Sequence, residues 1–179
     1  MRLCVLLLLL TLTPALHAQG HENALSDAEV EILRDTAPLP ADRVQAFIRF
    51  IDDRTKTIQT LANGPRKPGC EEDIHDLMEQ VASIADDLDD NLDDYGPRHR
   101  DLRRVLPKLV AATERWSSTL RTPADHEAYN VQRKLALEAV RDIHDEAVRL
   151  VEEQKTWFHD HPPGKEDKDS TSGHANLEK

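Results

Sequence analysis

Apolar residues recur at helical spacing along one short stretch and four long ones. Ser26 and Glu29 have the Ser-x-x-Glu spacing of a capping box, and with Val30 and Leu33 they predict a short helix over 27–36. Pro38 and Pro40 end it. Pro40 suits the first turn of the next helix, which carries Val44, Phe47, Ile48, Ile51, Ile58 and Leu61 up to Asn63-Gly64. After the loop 64–69, the range 70–95 places Ile74, Leu77, Val81, Ile84, Leu88 and Tyr95 on alternating steps of three and four, interrupted only by Asn91. Gly96-Pro97 break that pattern. A further helix is expected over 98–120 through Leu102, Val105, Leu106, Leu109, Trp116 and Leu120, bent at Pro107, which removes the hydrogen bond to the Arg103 carbonyl. The last is expected over 124–159, with Val131, Leu135, Val140, Ile143, Ala147, Leu150, Val151, Trp157 and Phe158 on its apolar side. From Pro162 to Lys179 the chain is polar and aperiodic, and a disordered tail is expected.

Short loops between long helices imply antiparallel neighbours. The expected fold is therefore all-α, an up-down-up-down four-helix bundle with a short extra N-terminal helix. A last helix of about 36 residues would reach ~54 Å, well past helices of about 23 to 26 residues at ~35 to 39 Å. Its overhang would carry Trp157 and Phe158 out of the bundle at the end where the chain enters from Pro40. The short first helix, delivered to the same end, is expected to cover those aromatics.

The N-terminal segment leads to the expectation that this bundle lies outside the cytoplasm. Met1-Arg2, the apolar run Val5 to Leu12 and the ending Ala15-Leu16-His17-Ala18 have the form of a cleavable signal peptide over 1–18, so one helical domain is expected over 19–161. The run is too short to span a membrane as a mature anchor. Only Cys70 remains after cleavage, which fits a bacterial periplasmic or secreted protein better than a disulfide-rich eukaryotic one. The full chain has 34 acidic against 23 basic side chains, a net charge of −11. Such a field repels nucleic acid and anionic lipid.

Among sites, the run Asp86-Asp87-Leu88-Asp89-Asp90-Asn91-Leu92-Asp93-Asp94 is the most unusual stretch. Its spacing is not that of a calcium loop. Read plainly it is a solvated helix face, but it crowds acids at a helix C-terminus, and Arg98, Arg100, Arg103 and Arg104 crowd the N-terminus expected to follow. Both placements oppose the helix dipoles, and pairing across Gly96-Pro97 is the expected compensation. A charged partner dock or a loose cation site is the functional alternative.

Histidines raise a divalent-cation reading. Glu72-x-x-His75 has the spacing found once per helix in di-iron bundles, without the second copy such sites need. By helix height, His75 could meet His126 near one end, and His99 could meet His144 near Asp94 at the other, whereas His75 and His144 lie too far apart. The architecture is similar to that of periplasmic b-type cytochromes, a resemblance that would call for facing Met and His ligands. Met78, the one methionine after the signal, lacks a level histidine, so no cofactor is expected. Cys70, at a helix start beside Glu71, Glu72 and Asp73, is a candidate for an intermolecular disulfide. No Gly-x-Ser-x-Gly, His-Glu-x-x-His or phosphate loop occurs, so a non-enzymatic protein acting through a protein partner or self-association is expected, with metal binding as the alternative.

Overall fold

The computed structural model describes residues 24–162, which form α1 (Asp27–Asp35), α2 (Pro40–Asn63), α3 (Cys70–Tyr95), α4 (Leu106–Leu120) and α5 (Asn130–Asp160), with no strand among the described residues. The expected signal peptide over 1–18 and the tail from 163 onward lie outside the described residues. The capping box forms as read, with the Ser26 hydroxyl accepting from the Glu29 N–H and the Glu29 carboxylate accepting from the Ser26 N–H at 2.8 Å. Pro40 occupies the first turn of α2, where its missing N–H leaves nothing unsatisfied. Gly69, in the left-handed region at φ 85°, turns the chain into α3.

Two boundaries depart from the periodicity. The helix expected from residue 98 begins at Leu106. Residues 96–105 instead make turns, in which the His99 N–H donates to the Gly96 carbonyl and the Arg100 N–H to the Tyr95 carbonyl. His99 stands at φ 49°, a conformation that cannot continue a right-handed helix. Pro107 therefore lies in the first turn of α4 and bends nothing. Leu102 and Val105 are buried because this connection plugs the end of the bundle, and that burial mimicked a helical stripe. Likewise α5 starts at Asn130 and not at 124; Arg133 donates to the Pro123 and Ala124 carbonyls, and the Tyr129 hydroxyl donates to Ala124, fixing 121–129 as a loop.

The directions alternate up-down-up-down, but the neighbours are not the expected ones. α3 packs against α2 and α5, and α4 against α5 and α2, so α3 and α4 lie across the diagonal. Cross-helix bonds fix the directions. Arg43 meets Asn91 and Arg54 meets Gln80, so α2 and α3 run antiparallel. Lys108 reaches Gln45 and Trp116 reaches Asp52 at 2.6 Å, so α2 and α4 run parallel. Two helical hairpins thus lie side by side, and 96–105 crosses the bundle end between them. Chain connectivity alone predicts antiparallel neighbours only inside each hairpin.

The expected covering of Trp157 and Phe158 by the first helix is also corrected. α1 runs back along the outside of α2, its Leu33 carbonyl accepting from Arg43 and its Glu29 carboxylate from Arg54. The aromatics are met by the crossing segment, with His99 stacked on Trp157 at 3.6 Å and the Arg103 guanidinium 4.1 Å above Phe158. Gln154 anchors that segment, accepting from the Leu102 N–H at 2.9 Å and donating to the Arg100 carbonyl at 2.8 Å. At 31 residues α5 is only ~46 Å long, so less of it projects than expected.

Candidate functional site

α3 carries 11 acidic side chains and no lysine or arginine. Because α5 runs parallel beside it, Asp142 and Glu146 come alongside Asp86 and Asp89, and a single helix face becomes a two-helix acidic edge. Partial burial, then repulsion from Asp87, Asp90 and Asp142, raises the Asp86 carboxyl above its usual value. Asp89 is raised by partial burial and by Asp93, Glu146, Asp142 and Asp90. Asp87 is raised by burial and Asp90, with Arg43 pulling the other way. At the far end Arg149 bonds Glu146 and, at 2.6 Å, Glu153.

The compensation expected across Gly96-Pro97 is realised once, in the exposed Asp94–Arg98 pair at 2.7 Å. Arg103 turns to Asp101 instead, whose carboxyl it holds below the usual range. Because α4 begins at Leu106, Arg98, Arg100 and Arg103 do not occupy a helical first turn, and only the acidic half of the expected dipole conflict exists.

His99 and His144 do not share a site. His99 lies on Trp157, whereas His144 bonds Thr113 at 2.9 Å, and the α5 residues between 144 and 157 span about 20 Å. Asp94 is engaged by Arg98. The Thr113 hydroxyl donates to the Val110 carbonyl, so its oxygen accepts from His144 Nδ1, and this pair is no activated nucleophile. His126 accepts from the Ala128 N–H and rests on Tyr129, and no hydrogen bond joins it to His75. Met78 is wholly buried as a core residue. Cys70 is 7% exposed, its thiol directed to the Leu61 carbonyl, so a cross-link through it requires the start of α3 to open.

One grouping was missed. His75, Asp76 and Glu79 each place a possible ligand atom within 4.8 Å of the others, with His75 Nδ1 at 2.9 Å from Asp76. The legible signal was His75 and Glu79 at i and i+4, which share a helix face. Glu72, on the other side of His75, is not part of it.

At the crossing end, Trp157 is sandwiched between His99 at 3.6 Å and His161 at 3.9 Å. The His99 Nδ1 is buried without a hydrogen-bond partner. No helix of the described residues is long and apolar enough to cross a membrane. No family model, curated protein or solved structure matches this chain.

Proposed function

We propose that this chain is an exported, non-enzymatic interaction module whose acidic edge receives a cationic surface of a protein partner. The observation that carries the reading is the convergence of Asp86, Asp89, Asp142 and Glu146 from two helices, with the Asp86 and Asp89 carboxyls raised by burial and mutual repulsion. A lone acidic helix face is ordinary solvated surface. Two such faces held side by side keep a repulsion that a cationic partner relieves on docking, and their shared field speeds its approach. Self-association is the weaker form, because copies with a net charge of −11 repel one another.

The test is fluorescence titration with a lysine-rich helical peptide, comparing the native chain with the triple variant Asp86→Asn, Asp89→Asn, Asp142→Asn. Affinity should fall at least tenfold in the variant and decline steeply with salt. Equal binding by both proteins defeats the proposal. Export is checked separately, by N-terminal sequencing of protein recovered outside the cytoplasm, which should begin at Gln19.

The metal-binding alternative is favoured by one observation, the convergence of His75, Asp76 and Glu79. Imidazole with two carboxylates is a zinc-type ligand set. Calorimetry with zinc chloride should show one site lost in His75→Ala; retention of binding in that variant eliminates this cluster.

A further inference from the structure

We propose that the seam between α3 and α5 seats an amphipathic cationic helix of a partner protein, with the partner's apolar side chains on Val131 and Leu135 and its basic ones on the acids about two turns further along. The inference rests on the acidic-edge reading above and goes beyond it, giving the partner a conformation, an apolar anchor and a register.

Helix phase sets the geometry. Asp142 and Glu146 of α5 stand beside Asp86 and Asp89 of α3. Val131 and Leu135 precede Asp142 and Glu146 by 11 residues each, and a step of 11 is three helical turns to within about 20°. All four therefore share one stripe of α5, apolar at one end and acidic at the other, with the two ends ~16 Å apart. Val131 is 69% exposed and Leu135 47%, the highest values of any large apolar side chains among the described residues. The core does not use them, because α5 turns Ala136, Val140, Ile143 and Ala147 inward. At the level between the two ends both helices present half-buried alanines, Ala82 and Ala139, which let another backbone approach closely.

Charge selects the occupant. Arg141 meets Asp142 and Arg149 meets Glu146, but no cation bonds Asp86 or Asp89 among the described residues, and α3 has no lysine or arginine of its own. The acidic end thus stays negative after its ion pairs are counted, and basic side chains are its complement. A second copy does not fit. Laid parallel in the seam it sets acids on acids, and laid antiparallel it sets acids on Val131 and Leu135. A helix is the conformation that suits the stripe, because steps of four and seven residues keep the partner's anchors and cations on one face. It runs antiparallel to α3 and α5, which brings its positive N-terminus to the acidic end.

The experiment is an anisotropy titration with three fluorescein-labelled helical peptides that share one N-terminal lysine block. The first carries two leucines, four residues apart, two turns beyond the block and on the lysine face. The second has glutamine at both positions, and the third has the leucines on the opposite face. The native chain should bind the first about tenfold more tightly than either of the others. The double variant Val131→Ser, Leu135→Ser should lose that difference while binding the glutamine peptide as the native chain does, with circular dichroism unchanged because both side chains are exposed. If the first peptide binds no more tightly than the glutamine peptide, or the opposite-face peptide binds as tightly as the first, the apolar seat is wrong and the acidic edge still stands. Failure of all three peptides to bind defeats the acidic edge and this inference with it. Dimerisation of the native chain in sedimentation, abolished by the double variant, would give the seat to a second copy and overturn the proposal.

Discussion

Glu29 on α1 and Asp89 on α3 are both partly sheltered carboxylates at the outside of the bundle, yet their protonation is driven in opposite directions. Glu29 meets the Arg54 guanidinium, with both side chains 14% exposed, and the hydrogen bonds from Arg54 hold its pKa down to about 2. Asp89 meets Asp93, Glu146 and Asp142, and is pushed up. The difference lies in what the neighbouring helix presents. α2 offers α1 two arginines, Arg43 and Arg54, that also reach across to Asn91 and Gln80 of α3. α5 offers α3 more carboxylates. A carboxylate is thus an anchor on one side of the bundle and part of a mutually repelling surface on the other, where Arg149 and Arg141 meet Glu146 and Asp142 but no cation bonds Asp86 or Asp89 among the described residues, which is why the acidic edge and not the α1 clamp is the proposed docking site.

The contrast is broken most strongly by Glu29→Gln. Arg54 would then keep little exposure and lose its counter-charge, at a cost of ~3 kcal/mol by the displacement of the Glu29 pKa. Because α1 packs principally on α2, the loss should appear as local detachment of α1 and not as global unfolding. Amide hydrogen exchange within 27–35 reads it directly. The pH dependence has a definite sign: the folded pKa is below the ordinary 4.5, so the clamp acts in full above 4.5 and fades as pH falls toward 2. In Glu29→Gln the protection of α1 should be low and flat over that window. Protection equal to that of the native protein would show that apolar contacts alone hold α1.

A neutral counterpart sharpens the comparison. Gln154 is buried at 1% exposure, and its amide satisfies both the Leu102 N–H and the Arg100 carbonyl. Gln154→Leu keeps much of the volume but strands those two groups, at about 2 kcal/mol, or a fall in Tm of roughly 4 to 8 °C. Trp157 emission should shift to the red, because the segment carrying His99 loosens over it. An unchanged Tm would mean that 96–105 is held by Leu102 and Val105 without the amide.

This anchored crossing explains which features were legible in the chain. The ends of α3 are legible in the chain because Gly69 and Gly96-Pro97 bracket an apolar period that only Asn91 interrupts. The stretch 98–105 misled because Leu102 and Val105 are spaced like helix positions while Gln154, fifty residues away, supplies the bonds a helix would have made internally. No local pattern encodes that partner. The run of aspartates was visible as a run, but its extension by Asp142 and Glu146 depended on α3 and α5 being parallel neighbours, which followed only from the diagonal crossing. His99 and His144 were paired by assumed height, whereas His99 sits on a turn against Trp157 and His144 at the level of Thr113.

The smallest expected effect is the most telling about the acidic edge, because its sign is opposite to that of the usual mutation. Replacing Asp89 with Asn removes repulsion toward Asp93, Glu146, Asp142 and Asp90. With about 0.2 to 0.5 kcal/mol for each like-charge neighbour relieved, the gain is ~1 kcal/mol, or 2 to 4 °C in Tm. A raised folded pKa means that the native state binds protons more readily than the unfolded chain, so this carboxyl's contribution to native stability should rise as pH falls through that raised value toward 3.8, opposed below 4.5 by the fading Glu29 clamp. Asp89→Asn should lift the neutral-pH end of this curve and flatten its rise, and added salt should stabilise the native protein more than the variant. A variant no more stable than the native chain at neutral pH would mean that Asp89 is already relieved, and the reason for placing a cationic partner there would be lost. A stabilised variant that also binds the lysine-rich peptide less well would identify the repulsion as stability given up for recognition.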